Sequence, residues 1–177
     1  MQNIVKQIHT RLLKAGQTVA IAESCTGGIV SSLLTNLPGS SSFFKLGVVA
    51  YSNEAKHKVL NIPRSKIKQH GAVSCQVAKM MANSVRLLAK TDIGIGITGI
   101  AGPGGATAKK PAGTVYIAVS SRTRTLCRKF RFKGRRAKIR NQASRAALIM
   151  GTSSKVPPLP RKHRLTKQGW HLGGRPR

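Results

Sequence analysis

Ser24 stands in the run Ala22-Glu23-Ser24-Cys25-Thr26-Gly27-Gly28, which places a hydroxyl, a thiol and a second hydroxyl ahead of paired glycines. The preceding Thr18-Val19-Ala20-Ile21 alternates as a buried strand does, and the apolar stretch 29–37 reads as a helix. A hydroxyl at such a strand-to-helix turn meets unpaired backbone N–H groups and the positive end of a helix dipole. That environment suits an anion or a developing oxyanion. Gly27 and Gly28 let a ligand or another backbone come close. Ser and Thr are equally the preferred residues at an ordinary helix start. On this stretch alone both readings stand.

A second group of residues could do proton chemistry or bind phosphate. Lys56 lies five residues after Tyr51, just past a strand end. A lysine accepts protons where burial or nearby positive charge depresses its pKa; otherwise it is a solvated helix lysine like Lys58. The loop 99–105, with Gly102 and Gly104, is rich enough in glycine to offer several N–H groups to a phosphate. His9, His57, His70, His163 and His171 are scattered and none sits in a nucleophile–base motif. His70, before Gly71, suits a loop or packing role. Only Glu23, Glu54 and Asp92 are acidic, so no carboxylate is to spare for a Ser-His-Asp triad. Without paired histidines at helical spacing or a carboxylate cluster, no metal site is expected. Cys25, Cys75 and Cys127 are odd in number and share no ligand spacing, which predicts no structural disulfide and a reducing, cytoplasmic setting. Cys25 reads as a small buried filler.

The elements that must carry these residues follow from periodicity. A helix is predicted over 2–15, with Ile4, Val5, Ile8, Leu12 and Leu13 docking it and Gly16 closing it. Strands are predicted over 17–23, 44–52 and 93–98, and a β-hairpin over 114–121 and 125–132. Helices are predicted over 27–36, 74–90 and 135–150, with short helical pieces around 53–60 and 64–69. Alternating helices and strands make a layered α/β domain. The late hairpin makes its sheet mixed.

The 177 residues suffice for one domain, and 40% hydrophobic with only 4% aromatic residues predicts a core of Val, Ile, Leu and Ala. No apolar run reaches the ~18 residues of a membrane span, and the start lacks the layout of a secretory signal. The domain is expected over 1–150. Beyond it, Val156-Pro157-Pro158-Leu159-Pro160 and a basic, Gly/Pro-punctuated stretch predict a poorly ordered tail over 151–177. The net charge is +29, and residues 122–177 hold 18 Lys and Arg with no acid. Such a field attracts nucleic acid or another polyanion through counterion release.

Several segments recur together in a familiar order: 22–28, Pro38-Gly39-Ser40-Ser41, Val49-Ala50-Tyr51-Ser52-Asn53-Glu54-Ala55-Lys56, His70-Gly71-Ala72-Val73-Ser74, Thr98-Gly99-Ile100-Ala101-Gly102-Pro103-Gly104-Gly105 and Lys110-Pro111-Ala112-Gly113-Thr114-Val115-Tyr116. Over about residues 1–150 this set resembles the CinA C-terminal-domain family, the nicotinamide-nucleotide amidohydrolases. The resemblance implies a single three-layer α/β/α sandwich around a mixed β-sheet, self-association, and cofactor-free deamidation of nicotinamide mononucleotide to nicotinate mononucleotide and ammonia. It carries the nucleophile onto Ser24, the general base onto Lys56 with Tyr51 assisting, a contact to the nicotinamide end onto Ser41, and a substrate-site hydroxyl onto Thr98. Amide hydrolysis needs a nucleophile, a base, an acid for the leaving ammonia and oxyanion donors; with no triad available, a Ser-Lys design remains. Family members tend to read Phe-x-Gly-Asp-Arg before the last helix, where this chain has Phe132-Lys133-Gly134-Arg135-Arg136. Arg136 matches the arginine suited to a mononucleotide phosphate, Arg135 displaces the acid, and Arg140 is the substitute candidate. The rival reading is a non-catalytic or degenerate family member that binds nucleic acid through its basic C-terminal region.

Overall fold

The computed structural model describes residues 2–152. The predicted tail beyond 152 lies outside them. The chain runs α1 (Gln2–Ala15), β1 (Val19–Glu23), α2 (Ile29–Thr35), a 3₁₀ turn (Ser40–Ser42), β2 (Phe44–Val49), α3 (Asn53–Lys58), α4 (Arg64–His70), α5 (Cys75–Leu88), β3 (Ile93–Gly99), β4 (Thr114–Ser120), β5 (Thr125–Arg131) and α6 (Arg136–Gly151). The five strands form one sheet in the order β2-β1-β3-β4-β5. β1 pairs in parallel with β2 and β3, and the β4–β5 hairpin is added antiparallel, which makes the sheet mixed. The predicted α/β/α sandwich is the observed architecture.

The period of two along the strands sorts side chains between two cores. Val19 and Ile21 of β1 and Ile93, Ile95 and Ile97 of β3 join a cluster with α1, α2 and α6. Ala20 and Ala22 join the other, with Leu60, Ile62, Ile67 and the Val77, Met81 and Val85 stripe of α5. On β3 the residues alternating with isoleucine are Gly94 and Gly96. A side chain at either would run into backbone of α5, at the Ala82 and Ala78 carbonyls respectively. The strand Ile-Gly-Ile-Gly-Ile therefore packs side chains on one face and lets a helix lie directly on the other.

Several boundaries differ from expectation. α2 begins at Ile29 rather than 27, because Gly27 and Gly28 both adopt positive φ (60° and 93°). β2 stops at Val49 rather than 52, because Ser52 turns out to cap α3, its Oγ accepting from the Ala55 N–H at 2.9 Å. α5 ends at Leu88, and Lys90 takes a left-handed φ of 52°. α6 runs one residue past the predicted 150, to Gly151.

All three acids are built into this frame. Asp92 accepts from the Thr18 N–H and hydroxyl, each at 2.9 Å, joining the starts of β1 and β3. Glu54 pairs with Arg64 at 2.7 Å and Lys58 at 3.4 Å. Glu23 caps α2, as follows.

Candidate active site

Strand alternation decides what faces what at the end of β1. Glu23 falls on the α2 side, where its carboxylate accepts from the N–H groups of Gly28 (2.9 Å), Val30 (3.2 Å) and Ser31 (2.8 Å) and from the Ser31 hydroxyl (2.8 Å). The α2 N-terminus expected to hold a ligand anion is thus occupied by the protein's own carboxylate. Neither Ser24 nor Thr26 caps it; Thr26 Oγ1 is buried without a hydrogen-bond partner among the described residues. Oxyanion or phosphate donors must come from elsewhere.

Ser24 points to the opposite face, toward α3. Its N–H is fixed to the Ile97 carbonyl at 3.0 Å, and its Oγ lies 3.0 Å from Lys56 Nζ. Lys56 is only 2% exposed. Its other polar neighbours are the carbonyls of Ala50 (3.0 Å) and Tyr51 (3.4 Å). Burial pushes the Lys56 amine below its ordinary value, opposed by Cys25. The amine donates to all three neighbours, the Ser24 hydroxyl oxygen and the two carbonyls, and losing a proton would free a lone pair to accept from the Ser24 hydroxyl. Burial pushes the adjacent Cys25 thiol up to about 12, with Glu23 adding to the rise, so it stays protonated near neutral pH.

Ser24 and Lys56 open onto a cleft of about 410 Å³ lined also by Tyr51, Thr98, Gly102, Gly104, Arg136, Lys110 and the 71–73 segment. No Asp, Glu or His is among the lining residues, and no group of three metal-ligating side chains occurs among the described residues. The cations Lys110 and Arg136 give the cleft a positive wall. A larger hollow of about 600 Å³ runs along exposed α1, but lies on a single helix with no convergent groups.

The other expected residues divide. Arg136 bridges the cleft mouth, donating to the Gly102 carbonyl at 2.8 Å and the Tyr51 hydroxyl at 2.7 Å. Tyr51 meets Lys56 through its backbone carbonyl, while its ring is exposed. Thr98 donates to the Ala72 carbonyl at 2.8 Å, holding one wall. Gly27, Gly28, Arg140 and Ser41 do not line the cleft. Arg140 donates to the Thr26 carbonyl from behind, at 2.8 and 3.3 Å, and its guanidinium packs over Gly27. Ser41 sits in the turn before β2. Because β2 runs parallel to β1, with Phe44 beside Val19 and Val49 beside Glu23, that turn is at the far end of the sheet from Ser24.

Two contributors escaped the sequence reading. Glu23 had a signal, a carboxylate inside a buried strand of an acid-poor chain. Lys110 donates to the Val73 carbonyl at 2.7 Å and lines the cleft; its place rests on a loop contact with no local signature.

The CinA C-terminal domain family model matches residues 1–153. The chain is 49% identical over 134 residues to a CinA-like protein of Syntrophus aciditrophicus, covering 75% of this chain and 32% of that one. It is 49% identical over 143 residues to a CinA-like protein of Anaeromyxobacter dehalogenans, covering 80% and 35%. The chain thus spans about a third of the length of the curated relatives it matches. Among solved structures, it resembles the competence/damage inducible protein CihA of Agrobacterium tumefaciens, with a TM-score of 0.82 and 36% identity over 84% of this chain and 92% of that one. A CinA superfamily protein of Klebsiella pneumoniae matches with a TM-score of 0.83 and 33% identity over 88% and 96%. By sequence and by fold alike, this chain belongs to the CinA C-terminal-domain family.

Proposed function

We propose that the domain is an amidohydrolase that converts nicotinamide mononucleotide to nicotinate mononucleotide and ammonia. The observation that carries the reading is the buried Lys56 amine 3.0 Å from the Ser24 hydroxyl. Neutral Lys56 takes the Ser24 proton as Oγ adds to the carboxamide carbon. The oxyanion is met by N–H groups facing the cleft, since Glu23 takes those of Gly28, Val30 and Ser31. On collapse, the Lys56 ammonium returns its proton to the departing nitrogen, which leaves as ammonia. Water then cleaves the Ser24 ester with Lys56 again as base, releasing the carboxylate. Arg136 and Lys110 suit the substrate's phosphate electrostatically. The mononucleotide itself is named from the motif resemblance. Ammonia release from that substrate by wild type, absent in Ser24→Ala, tests the reading; equal release by both proteins would overturn it.

A polyanion surface is a second reading, favoured by the exposed cations Arg128, Arg131, Lys133 and Lys138 on and after β5. Among the described residues the salt bridges all involve Glu54, so these cations are unpaired. Salt-sensitive binding of DNA or RNA that survives removal of residues 153–177 would support it.

A further inference from the structure

Away from the cleft, a trough runs between α5 and the edge strand β5, and its shape follows from register. Cys127 packs against Ala78 and Ala82 of α5, so Lys129 and Arg131, at period two, face the same way. α5 lies low on the sheet because Gly94 and Gly96 carry no side chain, with Arg86 beside Gly94 and Ala78 beside Gly96. Gly94 pairs with Ser120 and Gly96 with Ala118, so the helix tracks β4 from Ser120 toward Tyr116 as it runs back to its start. Hydrogen bonds tie one end of the trough together. Arg86 donates to Ser120 Oγ at 3.3 Å and to Asn83 Oδ1 at 3.1 Å, and Thr125 of β5 donates to Ser120 Oγ at 3.0 Å. Lys79, one turn before Asn83, lies on the same side of the helix, about 10 Å along its axis from Arg86. Across the trough, Lys129 Nζ sits 5.9 Å from the centroid of the Tyr116 ring. The floor is Ala78, Ala82 and Ala118 with half-buried Tyr116. Cations therefore stand on both rims, and no carboxylate answers them. Glu23 caps α2, Glu54 pairs with Arg64 and Lys58, and Asp92 binds Thr18. Cations on an edge strand keep sheets from pairing, but that role does not reach Lys79 and Arg86 on a helix.

We propose that the α5–β5 trough binds a single strand of nucleic acid, its phosphates on Lys79, Arg86, Lys129 and Arg131 and a base on Tyr116. Alternate residues of a strand stand roughly 7 Å apart, so Lys129 and Arg131 step like neighbouring phosphates of an extended chain. The Lys129 stem swings from the Tyr116 ring to a phosphate, which bares the ring for a base. An apolar floor with a phenol offers nothing to inorganic polyphosphate, and a duplex turns its bases toward its own second strand. This inference rests on the polyanion reading above, to which it gives a place and a partner, and does not depend on the deamidase reading.

The test follows the anisotropy of fluorescein-labelled oligothymidylate, and of its duplex with oligoadenylate, with the full chain at several salt concentrations. The trough pair Lys79→Glu with Lys129→Glu is compared with Lys6→Glu and Lys14→Glu, the same charge change on α1 across the sheet. The trough pair should lower single-strand affinity about tenfold or more and flatten the log–log salt slope by roughly 1.4, about 0.7 for each cation removed. The α1 pair should stay within about twofold of wild type. Tyr116→Leu should weaken binding about 5- to 10-fold without changing the slope. The duplex should bind more weakly than the single strand at equal salt. Tm checks the fold of each variant, and Lys79→Gln with Lys129→Gln replaces the trough pair if its Tm falls. Equal losses in the trough and α1 pairs would overturn the trough and leave the polyanion reading standing. Tighter binding of the duplex, or full affinity in Tyr116→Leu, would overturn the single-strand assignment. Salt-insensitive or absent binding by wild type would remove the polyanion reading itself.

Discussion

Glu23 and Ser24 are neighbours in the chain but serve opposite faces of the sheet, the carboxylate 2.8 Å from the Ser31 N–H under α2 and the hydroxyl 3.0 Å from Lys56 Nζ under α3. One residue builds the turn and the next uses it. Glu23→Gln should therefore cost about 2 kcal/mol of stability, because its NH₂ group would oppose N–H donors instead of accepting from them. Urea unfolding checks this; an unchanged midpoint would mean the cap is dispensable.

Ser24→Ala is expected to lower kcat on the order of 10³-fold or more. The fold should persist, since the contact to Ile97 is made by the Ser24 backbone N–H. Cys25, its thiol held up to about 12, offers no substitute nucleophile. Single-turnover ammonia release with matched circular dichroism spectra measures both points.

Lys56 gives a pH dependence with a defined sign. Burial lowers its pKa in the folded protein, so the neutral base form gains as pH rises through that value, and kcat/KM should rise with it. Stability should rise over the same interval, from the lowered value up to the ordinary lysine value of 10.5, because there the unfolded chain binds more protons. Lys56→Arg should not restore activity, since a guanidinium stays protonated. A rate–pH profile of wild type and the Arg variant decides the matter; an active Arg variant would remove Lys56 as proton acceptor.

Arg136 and Arg140 should separate by kinetics. Arg136→Ala is expected to raise KM for a phosphorylated substrate roughly 10- to 100-fold with a smaller loss of kcat, since it faces the cleft. Arg140→Ala should lower Tm instead, since it holds the Thr26 carbonyl from behind. The reverse pattern would move the phosphate to Arg140.

Removing residues 153–177 leaves α6 complete, with Thr152 Oγ1 still donating to the Leu148 carbonyl at 3.1 Å. The truncated protein should keep amidase activity. It should bind nucleic acid more weakly, with a shallower dependence of log affinity on log salt. Measuring that slope by fluorescence anisotropy at several salt concentrations, beside ammonia release, separates tail from domain.

Much of this molecule could be read before any coordinates. Local period and punctuation gave the order of strands and helices: the Val5, Ile8, Leu12 stripe docks α1, and Gly16, at φ 61°, closes it. Ser24 and Lys56 were reachable because each sits inside a compact motif. What stayed hidden depends on pairing across the sheet. Ser41 looked like a cleft residue until the parallel β1–β2 register placed it at the other end. Arg140 and Arg136, four residues apart on one helix, differ by which loop each meets. The capping role of Glu23 depends on how α2 folds back over β1, which no local pattern states.

Every side-chain carboxylate of the chain is already engaged within the fold. Glu23, Glu54 and Asp92 are the only side-chain anions against 32 Lys and Arg. Each of the three closes a different seam: the α2 cap, the α3–α4 pairing, and the joined starts of β1 and β3. Arg64 holds the Glu54 carboxyl below its usual range, so that seam persists to lower pH than an unpaired glutamate would allow. Three single carboxylates thus each hold together a different junction of a chain that carries +29, so the loss of any one acid by mutation would undo one named joint and leave the other two standing.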